Sequence, residues 1–413
     1  MLPTRPLLAL ITTLFVQALV SLTLAMPSVL APAVAPSLGV GAERVGMFVG
    51  VAYLAAMLSG LHSGDWAAQI GAVRLSQVAL LCAAIGACTG ALGIALAVLG
   101  AAVLIGTGYG LTNPSAASLL MRHAPVKRRG LFFSIKQGGV PIGVAIAGVL
   151  LPWGLATIGW QAAVLAIGGT CLLAAVLLTP LVRRLEPERG AAPAAARAAP
   201  ANTASGGLLD VLRDPGLRRL SLASFSYAGT QICFLTFLVS YLNLELSQSL
   251  AAAAGVLASA QLVATVGRVV WGHSADRWFD PAALLAGLGL AMGVACALLA
   301  LLDSSSSPVW ILLVALVCAA TAMAWNGVFF VELARHSGKH DMTRMAGATQ
   351  VFTFGGGMVM PVVFGQMVRI SGSYATAYLL LAALPTVAAL AMWRSLGAEA
   401  AAAQAQAQAQ APK

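Results

Sequence analysis

The sequence predicts an all-α membrane protein: twelve transmembrane helices in two pseudo-symmetric six-helix bundles, with both termini cytoplasmic. Three observations lead there. Of 413 residues, 60% are hydrophobic and 9% charged, with mean hydropathy +0.90, whereas a soluble globule carries about 25% charged residues. Apolar windows long enough to cross a ~30 Å hydrocarbon core recur at roughly 7–35, 45–64, 75–95, 97–120, 131–152 and 160–181, then at 220–242, 251–272, 282–302, 309–332, 345–368 and 374–394. Between the two sets, residues 183–218 open with RRLEPERGAAPAAARAAP, whose Ala/Pro/Gly-rich, charged composition marks a flexible linker. The expected domains are an N-terminal bundle at 1–182, a cytoplasmic linker at 183–218, a C-terminal bundle at 219–396 and a low-complexity cytoplasmic tail at 397–413.

Orientation follows from the 23 Lys and Arg, because basic residues near span ends favour the cytoplasm. With the N-terminus inside, Arg74, the cluster Arg122, Lys127, Arg128 and Arg129, the linker, Arg277, Arg335, Lys339, Arg344 and Arg394 all fall inside. Only Arg44 and Arg369 fall outside, and Lys136 and Arg268 remain within spans. The net +10 charge therefore reflects topology, and no basic patch interleaved with aromatics suggests nucleic acid. The run after Arg5, ending near Ala33-Val34-Ala35, imitates a secretory signal. At about twenty apolar residues it is long for a signal core and is expected to remain as span one. The six cysteines lie in apolar segments without CxxC or Cys/His spacing, so neither disulfides, a metal nor a cofactor is expected.

Taken in order, the spans supply a short set of polar residues, which are expensive in hydrocarbon unless they meet a partner, water or a ligand. Span one has Gln17 and span two Tyr53. The following loop, GDWAAQIGAVR, contains Gly64, Gly71 and Arg74. Span four carries Asn113-Pro114 beyond a Gly106/Gly110 ridge. Span five carries Lys136 and Gln137. Positions 136, 139, 140, 143 and 147 share one helix face, and Gly139, Gly143 and Ala147 make it a small-residue ridge. The lysine therefore points at a packed neighbour or an interior. The competing reading is snorkelling, since its stem can reach headgroups about 9 Å away.

In the second half, span seven has Tyr227 and Gln231, span ten Trp325-Asn326 and span eleven Gln350. Span eight aligns Gln261, Thr265, Arg268 and Gly272 on one face. For each amide, an interhelical hydrogen bond worth about 0.6 kcal/mol competes with substrate contact. For Arg268 a latch to Glu332 or to loop carboxylates competes. The five histidines sit near cytoplasmic span ends, where packing competes with a proton relay.

The halves repeat at an offset of about 208 residues. Gly272, Asp276 and Arg277 in GHSADR answer Gly64, Gly71 and Arg74, with Ala68 where the first-half acid is expected. These paired motifs, the long linker and the basic approach to span five resemble the major facilitator superfamily. Within it, GLTNPSAASLL, FFSIKQGGVPIG, VGRVVWGHSADRW and AWNGVFF are most similar to a bacterial branch of cyanate-type and other small-anion or drug-like carriers. The resemblance implies a transporter in a bacterial inner membrane whose two halves rock about a midplane site built from both. Span five also resembles the antiporter signature but departs from its Gly-Pro-x-x-Gly-Gly form at residues 139–143.

Of thirteen acids none sits in the middle of a span, while two cations do, so the cavity should be electropositive. A small organic anion is the substrate class that fits, because a desolvated cation without a counter-charge is costly. Symport on a substrate-borne proton and facilitated diffusion both remain open. The alternatives are a multidrug or metabolite exporter of the same fold and a transport-inactive membrane sensor. No GxSxG, HExxH, phosphate-binding loop or dinucleotide fingerprint stands in a fitting context, so the chain is not expected to be an enzyme. The expected partners are a small anionic substrate, protons as a candidate coupling ion and the lipid bilayer, with the chain acting as a monomer.

Overall fold

The computed structural model describes residues 4–186, 208, 210–336 and 342–409. Lys339, His340, residues 187–207, the tail beyond 409 and the side chains of Lys127, Asp276 and Arg344 lie outside the described residues. The rest is helical, with twelve helices long and apolar enough to cross a membrane. In order these elements are α1 (Thr4–Val34), α2 (Val45–Ile70), α3 (Ala72–Gly90), α4 (Ala95–His123), α5 (Arg129–Gln137), α6 (Gly139–Ile158), α7 (Trp160–Leu177) and α8 (Thr179–Leu185). After the linker come α9 (Pro215–Ser240), α10 (Leu250–Arg277), α11 (Pro281–Ala300), α12 (Pro308–Ala322), α13 (Asn326–His336), α14 (Met342–Ser371) and α15 (Tyr374–Ala409).

Two spans depart from one continuous helix, which the apolar windows did not show. The fifth is α5 plus α6, with a slight distortion at the single residue Gly138, whose dihedrals stay helical, immediately after Lys136 and Gln137. The tenth is α12 plus α13, interrupted at Met323, Ala324 and Trp325. Irregular backbone at membrane depth is tolerated where it is buried in protein or lines a cavity, so the break in the tenth marks a place to look for function. Three further boundaries differ from expectation. Helix α2 runs to Ile70 and α10 to Arg277, so Gly64 and the stretch 272–277 lie in helix rather than in loops. Helix α15 continues through the Ala/Gln-rich stretch to Ala409. Hydropathy marks where a span becomes polar, not where its hydrogen bonds stop.

Helices approach closely wherever a glycine faces a neighbour's backbone. A Cβ on Gly106 or Gly110 would strike the Ala52 or Ala56 carbonyl, fastening α4 to α2. One on Gly143 would strike the Ala18 carbonyl (α6 on α1), and one on Gly356 the Phe225 carbonyl (α14 on α9), the same contact in each half. Between the halves the close approaches cluster at the end of the bundle that carries the 35–44 turn. Gly46 and Gly50 of α2 face the carbonyls of Pro361 and Met358, and Gly148 of α6 faces that of Ala254, where a Cβ would stand 2.7 Å away. At the opposite end, which carries most of the arginines, α5 packs on α1, α4 and α6, and α13 on α9, α10, α11 and α14. Among the described residues the halves are thus joined at one end, and the basic end, where α5 and α13 pack within their own halves, is the parted one.

Candidate substrate-binding site

Lys136 occupies the last turn of α5, two residues before Gly138, whose backbone stays helical at φ −60° and ψ −18°. It is 2% exposed and turned inward, away from the headgroups. Its ammonium donates to Gln17 Oε1 at 2.7 Å, to Asn113 Oδ1 and to Gln137 Oε1 at 3.3 Å. All three acceptors are neutral amide oxygens, and among the described residues no carboxylate pairs with it. Gln17 is itself buried and passes its Nε2 on to Ser21 Oγ at 3.1 Å. Asn113 and Gln137 are exposed, so two of the three partners border open space at the parted end.

Ser21 leads into a small cavity of about 50 Å³ walled by both halves: Ser21 of α1, Tyr53 of α2, Tyr109 of α4, Val140 of α6, and Ile232 and Thr236 of α9. The Tyr53 ring lies 6.1 Å from that of Tyr109 and 6.0 Å from Phe354 of α14, so Tyr53 bridges the halves. Tyr109 and Asn113 are one turn apart on α4 and share a face. Asn113 meets Lys136, and Tyr109 lies within electrostatic reach of Arg268 from α10. One face of α4 therefore runs between the two intramembrane cations.

On the second-half side the break in span ten supplies the geometry. Helix α12 ends at Ala322, and Arg268 Nε donates to the Met323 carbonyl at 3.0 Å. A cation at a helix C-terminus meets the negative end of its dipole. Beyond the break, Trp325 Nε1 and Asn326 Nδ2 both donate to Gln231 Oε1, at 3.0 and 3.4 Å. Gln261 is 1% exposed; its Nε2 lies 3.7 Å from Met323 Sδ, and its buried Oε1 has no partner among the described residues.

The sequence-nominated residues thus fall into groups. Lys136, Gln137, Gln17 and Asn113 form one hydrogen-bonded cluster, with Tyr53 on the adjoining cavity. Gln261, Arg268, Trp325, Asn326 and Gln231 gather at the span-ten break. Tyr227 is fully buried, its hydroxyl donating to the Leu285 carbonyl at 3.2 Å and its ring edge-on to Trp325, so it packs the core rather than lining the cavity. Gln350 is half-buried on α14. The latch from Arg268 to Glu332 does not form: Glu332 pairs with His336 Nδ1 at 3.0 Å and Arg335 at 3.5 Å, and Arg335 reaches Asp280 at 2.5 Å.

Of the motif residues, Gly71 forms the α2–α3 turn with φ +95°, which favours glycine, whereas Gly64, Arg74 and Arg277 are exposed and Gly272 is half-buried. The acid missing at Ala68 has a counterpart from elsewhere. Glu186, just past α8, accepts from the N–H groups of Ala72 at 2.5 Å and Val73 at 3.1 Å, at the start of α3. Reading the sequence missed Tyr109, Ser21, Thr236 and Met323. The first two were within reach, since Tyr109 is one turn from Asn113 and Ser21 one turn from Gln17. Thr236 and Met323 had no signal, because one enters through packing between halves and the other through a helix break.

A family model described as Major Facilitator Superfamily matches residues 13–361. Comparison with curated proteins finds no match. Among solved structures, a bacterial homolog of the human lysosomal transporter Spinster is similar in its inward-facing, occupied conformation at TM-score 0.74 and 17% identity, over 93% of this chain and 95% of that one. The same homolog in its inward-facing, unoccupied conformation gives 0.72 and 18%, over 94% and 95%. The peptide transporter POT gives 0.71 and 16%, over 93% of each.

Proposed function

The chain belongs to the major facilitator superfamily and is a membrane transporter built for alternating access, and we propose that it carries a small organic anion with Lys136 as the principal counter-charge. The observation that supports this is a pair of cations, Lys136 and Arg268, that have no carboxylate partner among the described residues and lie on either side of one face of α4. A buried ammonium satisfied only by amide dipoles keeps most of its charge uncompensated. An anion that displaces Asn113 or Gln137 supplies the missing charge at the cost of two exchangeable hydrogen bonds. Neutralising the site also removes the penalty for closing the parted end over it, so bound substrate favours the rocking step.

In this reading the basic end and both termini face the cytoplasm, the cavity opens inward, and the membrane is a bacterial inner membrane. The protein works as a monomer in the manner of the cyanate-type and other small-anion carriers. A coupled proton rides on the substrate, because the acids lie at span ends. Uptake of radiolabelled carboxylates into proteoliposomes tests the proposal. Wild type is expected to accumulate or equilibrate an anion, and Lys136→Gln to lose that flux while keeping its melting profile. Undiminished flux in the variant, or selective flux of lipophilic cations, overturns it.

A further inference from the structure

We propose that a second cavity, inside the first half and apart from the transport site, holds an acyl chain of an anionic bilayer phospholipid whose phosphate pairs with Arg44. The cavity has a volume of about 210 Å³ and opens at the joined end of the bundle, between the ends of α1 and α3 and the starts of α2, α4 and α7. Met26, Leu30, Phe48, Ile105 and Val164 wall it, and its lining follows α4 from Ala95 to Ile105, about 15 Å at 1.5 Å per residue. Among the described residues Arg44 is the one charged group in this lining, and it is exposed at the mouth. An apolar slot with one cation at its rim is complementary to an amphiphile with an apolar chain and a negative head.

The surroundings of the mouth point to the bilayer as the source of that amphiphile. Leu92 and Ile94, in the turn between α3 and α4, and Leu96, in the first turn of α4, are 66%, 60% and 78% exposed. Three large apolar side chains this bare, on either side of Ala95, mark a rim that lies in lipid. Half-buried Trp160, at the start of α7, lines the same opening, and an indole suits the boundary between acyl chains and headgroups. Around Arg44 the charge is net positive: Glu43 and Arg369 share a small recess with it, two cations to one carboxylate, and among the described residues none of the three forms an ion pair. A phosphate at headgroup depth supplies the missing charge. Phe48, which the chain would touch, stands between Gly46 and Gly50, the α2 glycines that pack on α14. A seated chain therefore braces the helix that closes this end.

The test is photolabelling of the full chain in proteoliposomes with phosphatidylglycerol that carries a diazirine on one acyl chain, read by peptide mass spectrometry. Adducts are expected on the cavity segments 26–35, 98–105 and 160–164 as well as on the exposed outer residues Leu172 and Leu173. Arg44→Gln should lower labelling of the cavity segments about fivefold, the scale of one partly exposed ion pair, and leave Leu172 and Leu173 unchanged. A diacylglycerol with the same diazirine chain, which lacks the phosphate, should label the wild-type cavity segments more weakly by a similar factor. Adducts confined to outer residues in the wild type overturn the inference. So does cavity labelling that is equal for the two lipids or equal in wild type and Arg44→Gln. The wild-type map and the comparison of lipids decide even where the variant does not fold.

Discussion

Each half holds one intramembrane cation, by different means. In the first half Lys136 is enclosed by amide side chains from α1, α4 and its own helix. In the second, half-buried Arg268 is held by a backbone carbonyl that exists only because span ten is broken at Met323. Helix starts divide the same way. Helices α9, α10, α11 and α12 carry side-chain caps from Asp214, Ser249, Asp280 and Ser307. In the first half α2 to α7 have no N-cap side-chain bond, and α3 instead takes Glu186 from over a hundred residues away. The repeat preserves helix order and the glycine contacts that set spacing. Polar chemistry was free to diverge because each cation and each helix end needs only some satisfied partner, not a particular one.

The sharpest way to break the comparison is to remove each cation in turn. Lys136→Gln should weaken anion flux about a hundredfold or more, because substrate is then left facing dipoles alone. Arg268→Gln should cost about tenfold in flux, since that guanidinium is already engaged by Met323 and is more open to water. It should also lower the melting temperature by freeing the Met323 carbonyl, as Lys136→Gln should not. Equal effects on flux, measured side by side in proteoliposomes, would mean that the halves contribute alike.

Glycine contacts within and between halves sharpen the contrast. Gly106→Leu forces a side chain into the Ala52 backbone inside one bundle and should destabilise by about 1–3 kcal/mol or more. Gly50→Leu meets Met358 across the closed end. There the two halves can part, so the strain is relieved by conformational change rather than by unfolding. Thermal melting should register the first. The second should instead raise the reactivity of a cysteine placed at Ser28, deep in the cavity, toward a membrane-impermeant reagent.

What could be read in advance follows the same division. Twelve spans, the linker and the Lys136 ridge were legible because hydrocarbon imposes length and apolarity on every span, and a lone charge stands out against that background. Gln17 and Asn113 were also visible as polar residues in apolar helices. What they bond to was not, because those partners lie 119 and 23 residues from Lys136 in sequence and meet it only through packing. The break at Met323 was hidden for a related reason. Methionine is ordinary in spans, and a break is stabilised by its neighbours rather than by its own residues.

The smallest expected effects belong to the helix starts at the basic end. Glu186→Ala should cost α3 about 1 kcal/mol, a normal loss for an N-terminal cap, read as faster amide exchange in the first turn. Asp280 makes the matching contact in the second half, accepting from Ala282 and Ala283 and pairing with Arg335. Partial burial pushes its carboxyl up, but the Arg335 hydrogen bond and the Ala283 and Ala282 amides outweigh that and hold it below the ordinary carboxylate range. A depressed carboxylate contributes stability above its unfolded value, near pH 4, and loses it as pH falls through the folded value. The melting-temperature gap between wild type and Asp280→Asn should therefore be small and constant from neutrality down to about pH 5, then close at lower pH. A gap that persists below pH 3 would assign Asp280 a packing role and leave Asp214 at the start of α9 as the carboxylate cap to compare with Glu186.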